Sequence, residues 1–368
     1  MIEQLNSLPL RKKVGQLFFI GIAGAEIDFA TLELLDEVSP GGICLFTRNI
    51  RETGQTRKLL DDLRQTLPVA PFLSLDQEGG LVDRLRRILT PMPAANKIKS
   101  AMDASRLARL IAESVRILGF NMDFAPVVDV VDDDREQAGN GLYSRTFGRS
   151  SEDVVELAGE FLTTLQENGV IGCVKHFPGL GAAMVDSHEE LPLVEIAEDE
   201  LLSSDLRPYQ ELFANGEVRL VMSAHAAFPN SRLQERDENG KLLPSSLSQN
   251  FITQFLRNEL GYDGLAITDD LEMGAIMKNY GVGTACVMAV EAGQDLLAIC
   301  AAPANIREGF NAVLAAVESG KISEERLDYT LLRIAALKSQ LSEPLPFDTA
   351  RLAAISAEIT EFNTYLNR

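Results

Sequence analysis

The chain alternates short apolar runs with longer segments in which apolar residues recur at helical spacing. Eight of these runs are rich in Val, Ile, Leu and Phe and end at polar residues or glycine, which is typical of parallel strands covered on both faces. Eight strand–helix repeats predict an α/β fold, a single (β/α)8 TIM-type barrel with room for irregular first strands; a doubly wound open sheet is the alternative. The predicted strands are 15–22, 42–46, 72–75, 120–125, 172–175, 219–224, 264–268 and 295–301.

Three of the intervening segments carry clear helix signals. Ser150 and Asp153 form a capping box that opens one helix, and Gly169 ends it. Ser248 opens a second helix before Gly261, and residues 322–341 predict a C-terminal helix packed on the barrel. The predicted inward faces are Val154, Leu157, Phe161 and Leu165, then Ile252, Phe255 and Leu256, then Leu327, Leu331, Ile334 and Leu337.

No segment has the composition of a linker between domains. We therefore expect one domain over residues 1–368, with its core at about 10–340. Two long, polar, glycine-containing segments, 131–144 and 229–244, are predicted to be loops over the mouth of the barrel.

Composition and charge exclude several classes of partner. Lys and Arg number 34 and Asp and Glu 54, so the net charge is −20, and an acidic surface repels both nucleic acid and anionic membranes. No apolar run approaches the roughly 18 residues of a membrane span, and the N-terminus lacks the pattern of a secretion signal. The four cysteines are widely spaced without a zinc-site pattern, which predicts core thiols in a reducing compartment. We expect a cytoplasmic protein; its oligomeric state stays open, and a monomer is compatible with the sequence.

Polar residues follow five of the predicted strands. A barrel carries its active site at the carboxyl ends of its strands, so these side chains should converge on one face. Scattered surface charge is the alternative interpretation. The residues concerned are Asp76, Asp123, Lys175 with His176, His225, and Asp269 with Asp270.

The segment from Lys175 to His188 is the densest in candidate chemistry. Asp186 and His188 are one residue apart, so in extended backbone their side chains leave the same side. A carboxylate bonded to an imidazole fixes its tautomer, which makes His188 a candidate general acid/base. Structural roles for all three histidines are the alternative, and a Ser-His-Asp triad through Ser187 lacks the nucleophile elbow that it requires.

Asp269 is the first residue after an apolar strand, where its carboxylate could attack an electrophilic carbon or hold a cation. Its alternative role is to cap the following helix, for which Asp270 is the better candidate. Asp76, Arg84 and Arg145 also follow strands or flexible segments, although each one alone could be a solvated surface charge. No complete motif for binding dinucleotides, nucleoside triphosphates, calcium or zinc is present, so we expect no cofactor and no metal.

Several of these segments together resemble one enzyme family. Lys-His-Phe-Pro-Gly at 175–179, Asp-Ser-His at 186–188, Thr-Asp-Asp-Leu-Glu-Met at 268–273, Asp-Gln-Glu-Gly-Gly at 76–80 and Arg-Thr-Phe-Gly at 145–148 are similar to motifs of glycoside hydrolase family 3. Within that family they resemble the single-domain, NagZ-type β-N-acetylhexosaminidases. The resemblance spans about residues 10–340 and implies a barrel that removes terminal β-linked N-acetylglucosamine, usually from muropeptide fragments during peptidoglycan recycling.

The resemblance also implies roles for individual residues. Asp269 matches the nucleophile of a covalent glycosyl–enzyme intermediate, and His188 matches the acid/base, with Asp186 as its partner. The positions that match sugar-binding residues are Asp76, Arg84, Arg145, Lys175 and His176.

Two departures from the family pattern concern the substrate rather than the reaction. Leu180 stands where the family usually has histidine, and Leu81 stands where it commonly has arginine. A histidine acid becomes neutral on giving up its proton, which could ease the approach of an anionic acceptor. Phosphorolysis, a β-glycosidase with another sugar preference, a non-catalytic sugar-binding barrel and a metal hydrolase are therefore the alternatives.

Overall fold

Strands and helices alternate along the chain as the apolar pattern predicts. The computed structural model describes residues 1–136, 140–184, 190–216 and 218–368. Every predicted apolar run coincides with at least one strand. The strands are β1 Phe18–Gly21, β2 Gly42–Cys44, β3 Phe72–Ser74, β4 Gln77–Gly79, β5 Val82–Asp83, β6 Met122–Asp123, β7 Ile171–Gly172, β8 Val174–Phe177, β9 Leu220–Ser223, β10 Leu265–Thr268 and β11 Leu297–Ile299.

The parallel strands form a barrel. Regular ladders join them in the order β11–β1–β2–β3, β6–β7 and β8–β9–β10. Individual backbone hydrogen bonds connect these pieces: Phe124 N donates to Leu75 O at 2.9 Å, Val128 N to Lys175 O at 2.8 Å, and Thr268 N to Leu296 O at 3.1 Å. These bonds link β3 to β6, β6 to β8 and β10 to β11. The prediction of a TIM-type barrel is therefore confirmed, and the open sheet is not.

Helices cover the outside of the barrel. Two 3-10 turns, Ala95–Lys97 and Ser245–Leu247, and two π-helical segments, Leu201–Asp205 and Asn250–Glu259, accompany the α-helices. The α-helices are α1 Ile2–Asn6, α2 Leu10–Gly15, α3 Phe29–Val38, α4 Thr53–Thr66, α5 Ala101–Leu118, α6 Asp133–Glu136, α7 Ser151–Glu167, α8 Glu198–Glu200, α9 Arg207–Ala214, α10 Gly274–Met277, α11 Val282–Ala292, α12 Pro303–Glu318, α13 Glu324–Lys338 and α14 Thr349–Leu366.

The helix signals in the sequence are confirmed. Asp153 N donates to Ser150 Oγ at 3.1 Å and Ser150 N donates to Asp153 Oδ2 at 3.3 Å, which is the capping box of α7. Ser248 Oγ accepts from Phe251 N at 3.3 Å at the start of the second predicted helix, whose hydrogen bonding is π-helical. The predicted inward faces of these two helices and of α13 are buried.

Helix α14 lies beyond the predicted core. Its buried residues, Leu352, Ile355, Ile359 and Phe362, recur at helical spacing and form its inner face. Arg351 fixes it to α5 through a pair of hydrogen bonds to Glu113, both 2.6 Å long. The packed structure therefore extends almost to the C-terminus.

Among the described residues, no helix is both long and apolar enough to cross a membrane. The four cysteines are free thiols and buried, as predicted, and two of them, Cys44 and Cys300, line the cavity described below.

A lysine is buried beneath the barrel, at the end opposite the strand carboxyl termini. Lys338 Nζ donates to Gln16 Oε1 at 2.9 Å and lies 5.3 Å from the ring centroid of Phe72, the first residue of β3. None of the described carboxylates forms an ion pair with it. Burial lowers the pKa of Lys338 from 10.5 to about 7, because the charged amine loses its hydration there.

This burial predicts a pH-dependent contribution to stability. Between about pH 7 and 10.5 the unfolded chain binds a proton that folded Lys338 releases, so the free energy of unfolding should rise with pH over that window. From pH 7 to 10, the wild type should gain on the order of 3 kcal/mol relative to Lys338→Met. Urea unfolding of both proteins across this range measures the change, and a constant difference between them would contradict it.

Candidate active site

A cavity opens at the carboxyl ends of the barrel strands. Its volume is about 960 Å³, including its open mouth. The structure brings six of the predicted site residues together in its lining: Asp76, Arg84, Arg145, Lys175, His176 and Asp269. The predicted pair Asp186 and His188 lies outside the described residues.

Asp76 follows β3 and pairs with two cations. Its Oδ2 accepts from Arg84 Nη2 and its Oδ1 accepts from Lys175 Nζ, both at 2.9 Å. Burial alone would raise the pKa of Asp76, but the charges and hydrogen bonds of Lys175 and Arg84 outweigh it and hold that pKa well below its usual range. Asp76 is therefore an anion at any pH where the protein is expected to work.

Glu78 is a site residue that the sequence reasoning missed. It lies in β4, which pairs with β5 in an antiparallel hairpin after β3. Glu78 Oε1 lies 2.7 Å from Lys175 Nζ, and Arg145 binds both carboxylate oxygens, with Nε at 2.8 Å and Nη2 at 2.9 Å. Burial would raise the pKa of Glu78, but Arg145 and Lys175 lower it to about 2. Its only sequence signal is its place two residues after Asp76.

Asp129 is the second residue that the sequence reasoning missed. It is fully buried, and its Oδ2 lies 2.8 Å from His176 Nδ1. Its Oδ1 accepts from the backbone N of Leu180 at 2.7 Å and of His176 at 3.3 Å. A carboxylate on Nδ1 fixes that nitrogen as the donor, which leaves Nε2 of His176 as the acceptor. Asp129 thus orients the imidazole and anchors the segment that leads towards residue 184.

Asp269 lies at the end of β10, where the backbone holds its carboxylate. Asp269 N donates to Ser223 O at 3.1 Å, and the backbone N of Asp270 donates to Asp269 Oδ1 at 2.8 Å. Asp270 also lines the cavity and accepts from Glu272 N at 3.0 Å, so it stabilises the turn that precedes α10. Burial raises the pKa of Asp270 to about 7, whereas its neighbour's position suits a nucleophile.

Two of the predicted strand-end residues do not line the cavity. Asp123 is fully buried, accepts from Gln77 N at 2.8 Å, and has its pKa raised to about 8 by burial. His225 lies 2.7 Å from Ser246 Oγ through Nδ1 and 3.1 Å from Asp270 O through Nε2. Both lie beneath the site because alternate side chains of a strand point to opposite faces and because the barrel interior is filled in layers. For them, the prediction of side chains at the mouth is wrong.

The loops are only partly as predicted. Segment 131–144 supplies Asn140 and Leu142 to the cavity lining, but segment 229–244 supplies no residue. Leu180, one of the two departures from the family pattern, lines the cavity, whereas Leu81 at the tip of the β4–β5 hairpin is 67% exposed. Within the described parts of the chain, no group of three or more His, Cys, Asp or Glu side chains is arranged to hold a metal ion.

A barrel that gathers carboxylates, cations and a histidine in one cavity at its strand ends has the architecture of a barrel enzyme. The model for the glycosyl hydrolase family 3 N-terminal domain matches residues 9–337. The chain belongs to glycosyl hydrolase family 3. This confirms the resemblance that the sequence motifs indicate and the expectation of a glycoside hydrolase.

Known proteins of this family are similar over most of the chain. Beta-hexosaminidase A of Pseudoalteromonas piscicida is 31% identical over 89% of this chain, and the match spans 57% of that relative's length. Beta-hexosaminidase of Pasteurella multocida is 30% identical over 85% of each chain. The structure of a glycoside hydrolase family 3 beta-N-acetylglucosaminidase from Paenibacillus sp. superposes with a TM-score of 0.87 and 38% identity, covering 97% of this chain and 69% of that one.

Proposed function

We propose that the protein is an exo-acting, retaining β-N-acetylglucosaminidase. The observation that carries the proposal is the cavity in which Asp269 shares the lining with the paired polar side chains of Asp76, Arg84, Lys175 and Arg145. The names of its relatives, beta-hexosaminidase and beta-N-acetylglucosaminidase, support N-acetylglucosamine as the sugar that this cavity takes.

In this proposal Asp269 is the nucleophile. A retaining glycosidase needs a carboxylate that attacks the anomeric carbon and an acid that protonates the departing oxygen. The backbone N–H of Asp270 orients Asp269, and its position at the end of a rigid strand limits the movement of its carboxylate. His188, supported by Asp186, donates the proton to the leaving group and then removes a proton from the incoming water.

The five predicted sugar-binding residues have complementary tasks. Asp76 accepts hydrogen bonds from sugar hydroxyls, while Arg84, Arg145 and Lys175 donate them, each with at least one N–H not used by the carboxylates. His176 presents Nε2 as an acceptor because Asp129 occupies Nδ1. Together they would hold the ring so that its anomeric carbon faces Asp269.

The natural substrate and compartment are also proposals. The family resemblance favours muropeptide fragments, whose terminal N-acetylglucosamine the enzyme would remove during peptidoglycan recycling. The buried free thiols suit the reducing conditions of the cytoplasm, where such recycling takes place. A histidine acid/base also makes phosphate a competing acceptor, because the neutral imidazole does not repel an anion.

Product analysis tests the proposal. The wild type should cleave an aryl N-acetyl-β-glucosaminide and release free N-acetylglucosamine with or without phosphate, and it should cleave the matching β-glucoside far more slowly. Equal cleavage of both glycosides would contradict the sugar preference. A product that becomes the sugar 1-phosphate when phosphate is added would contradict hydrolysis, and no turnover of either compound would contradict the enzymatic function.

A further inference from the structure

We propose that Glu78 is a positioning residue that fixes the two sugar-binding cations, Lys175 and Arg145, in one geometry. This inference rests on the proposed function, because it assigns Glu78 a part in binding the sugar. Neither a motif role nor the strand-end pattern assigned it one.

The carboxylate joins two cations that come from different parts of the barrel. Lys175 lies in β8, whereas Arg145 lies in the loop before α7. Glu78 Oε1 lies 2.7 Å from Lys175 Nζ and 2.9 Å from Arg145 Nη2, so a single oxygen contacts both. Oε2 accepts from Arg145 Nε at 2.8 Å and completes a bidentate pair. Glu78 therefore sets the distance between the two cations and the plane of the guanidinium.

Electrostatics explains why this carboxylate is needed. Two buried cations repel each other, and the Arg145 charge indeed opposes protonation of Lys175. Asp76 cannot neutralise both, because its two oxygens are taken by Arg84 and Lys175. Glu78 completes an alternating chain of charges in the order Arg84, Asp76, Lys175, Glu78 and Arg145. Without it, three cations would share one carboxylate in a site of low dielectric, where unpaired charge is costly.

The hairpin holds Glu78 in place independently of any ligand. Gly79 and Gly80, at its turn, have φ of +90° and +60°. A Cβ on Gly79 would lie 2.2 Å from Pro93 O, so the hairpin packs closely on the following segment. Asp83 fixes the other strand by accepting from Gln77 Nε2 at 2.8 Å and Met92 N at 2.8 Å. The Glu78 side chain is 3% exposed.

Glu78 acts through its partners rather than on the sugar. Both of its oxygens are engaged, which leaves no acceptor for a substrate hydroxyl. Lys175 uses two of its three N–H donors on Asp76 and Glu78, and Arg145 uses two of its five on Glu78. The remaining donors can reach the cavity, which both residues line. Their direction there depends on the carboxylate behind them.

The test compares Glu78→Gln with Glu78→Asp in the full chain. Glutamine keeps the size but has one acceptor and turns an NH₂ group towards a cation, so KM for an aryl N-acetyl-β-glucosaminide should rise roughly 10- to 100-fold. The value of kcat should fall less than about 5-fold, because the lost contacts hold the sugar equally in the ground and transition states. Aspartate keeps the charge and should recover part of the loss in KM.

Glu113→Gln is the matched control, because it breaks another bidentate pair with arginine, between α5 and α14, away from the cavity. It should leave KM unchanged. An unchanged KM in Glu78→Gln, or a fall in kcat without a rise in KM, would overturn the proposal while the proposed function stood. If Glu78→Gln does not fold, a wild-type KM in Glu78→Asp overturns it and an intermediate KM supports it. A wild type that neither binds nor cleaves the glycoside would overturn the proposed function and this inference together.

Discussion

Replacing Asp269 with alanine is expected to lower kcat/KM for an aryl N-acetyl-β-glucosaminide by at least about 10⁴-fold. The loss is large because no other group in the described cavity is placed to form the covalent bond. Asp270, the nearest carboxylic acid in the sequence, has its pKa raised to about 7 by burial and binds backbone N–H groups of the following turn. It is therefore a poor substitute nucleophile.

Asp263→Ala provides the control for this prediction. Asp263 is exposed in the turn before β10, so its removal tests for a general effect of losing a carboxylate near that strand. It should retain full activity, and both variants should keep the wild-type circular dichroism spectrum. A folded Asp269→Ala protein with more than about a tenth of the wild-type activity would mean that another residue attacks the sugar.

Replacing His188 with alanine should produce the second largest effect, and its size should depend on the leaving group. A general acid typically supplies about 10²- to 10⁴-fold in rate. We expect a loss of that order with a poor leaving group, which must be protonated as it departs. An activated aryl leaving group needs no proton, so its rate should fall much less, provided that formation of the intermediate is rate-limiting.

The pair of substrates is the internal control for His188, because folding defects and lost sugar binding would lower both rates equally. Equal losses on the two substrates would therefore contradict the acid role. Asp186→Asn should show the same dependence on the leaving group, but more weakly, since asparagine still accepts a hydrogen bond from the imidazole.

The fold could be predicted from the sequence because its signals are local. The Val- and Ile-rich runs alternate with helical segments, and the capping box at Ser150 marks a boundary that the structure confirms. The short hairpin β4–β5 could not be predicted, because Gln77–Gly79 and Val82–Asp83 have no strand composition. Its pairing depends on the close packing of Gly79 and Gly80 on the segment that follows.

The site could be predicted only as far as strand ends determine it. Asp76, Lys175 and Asp269 follow strands directly, and the structure places all three in the cavity. Glu78 and Asp129 escaped because their roles come from partners far along the chain: Arg145 lies 67 residues from Glu78, and His176 lies 47 residues from Asp129. His225 was misplaced for the same reason, since Ser246, its partner, lies 21 residues away.

The central claim is that Asp269 forms a covalent bond with the anomeric carbon, and trapping that intermediate tests it most directly. A 5-fluoro derivative of N-acetylglucosaminyl fluoride should form an intermediate that breaks down slowly, and peptide mass spectrometry should find the added sugar on the peptide that contains Asp269. Asp269→Ala should give no adduct under the same conditions. A sugar found on another residue, or full turnover without any adduct, would contradict the account.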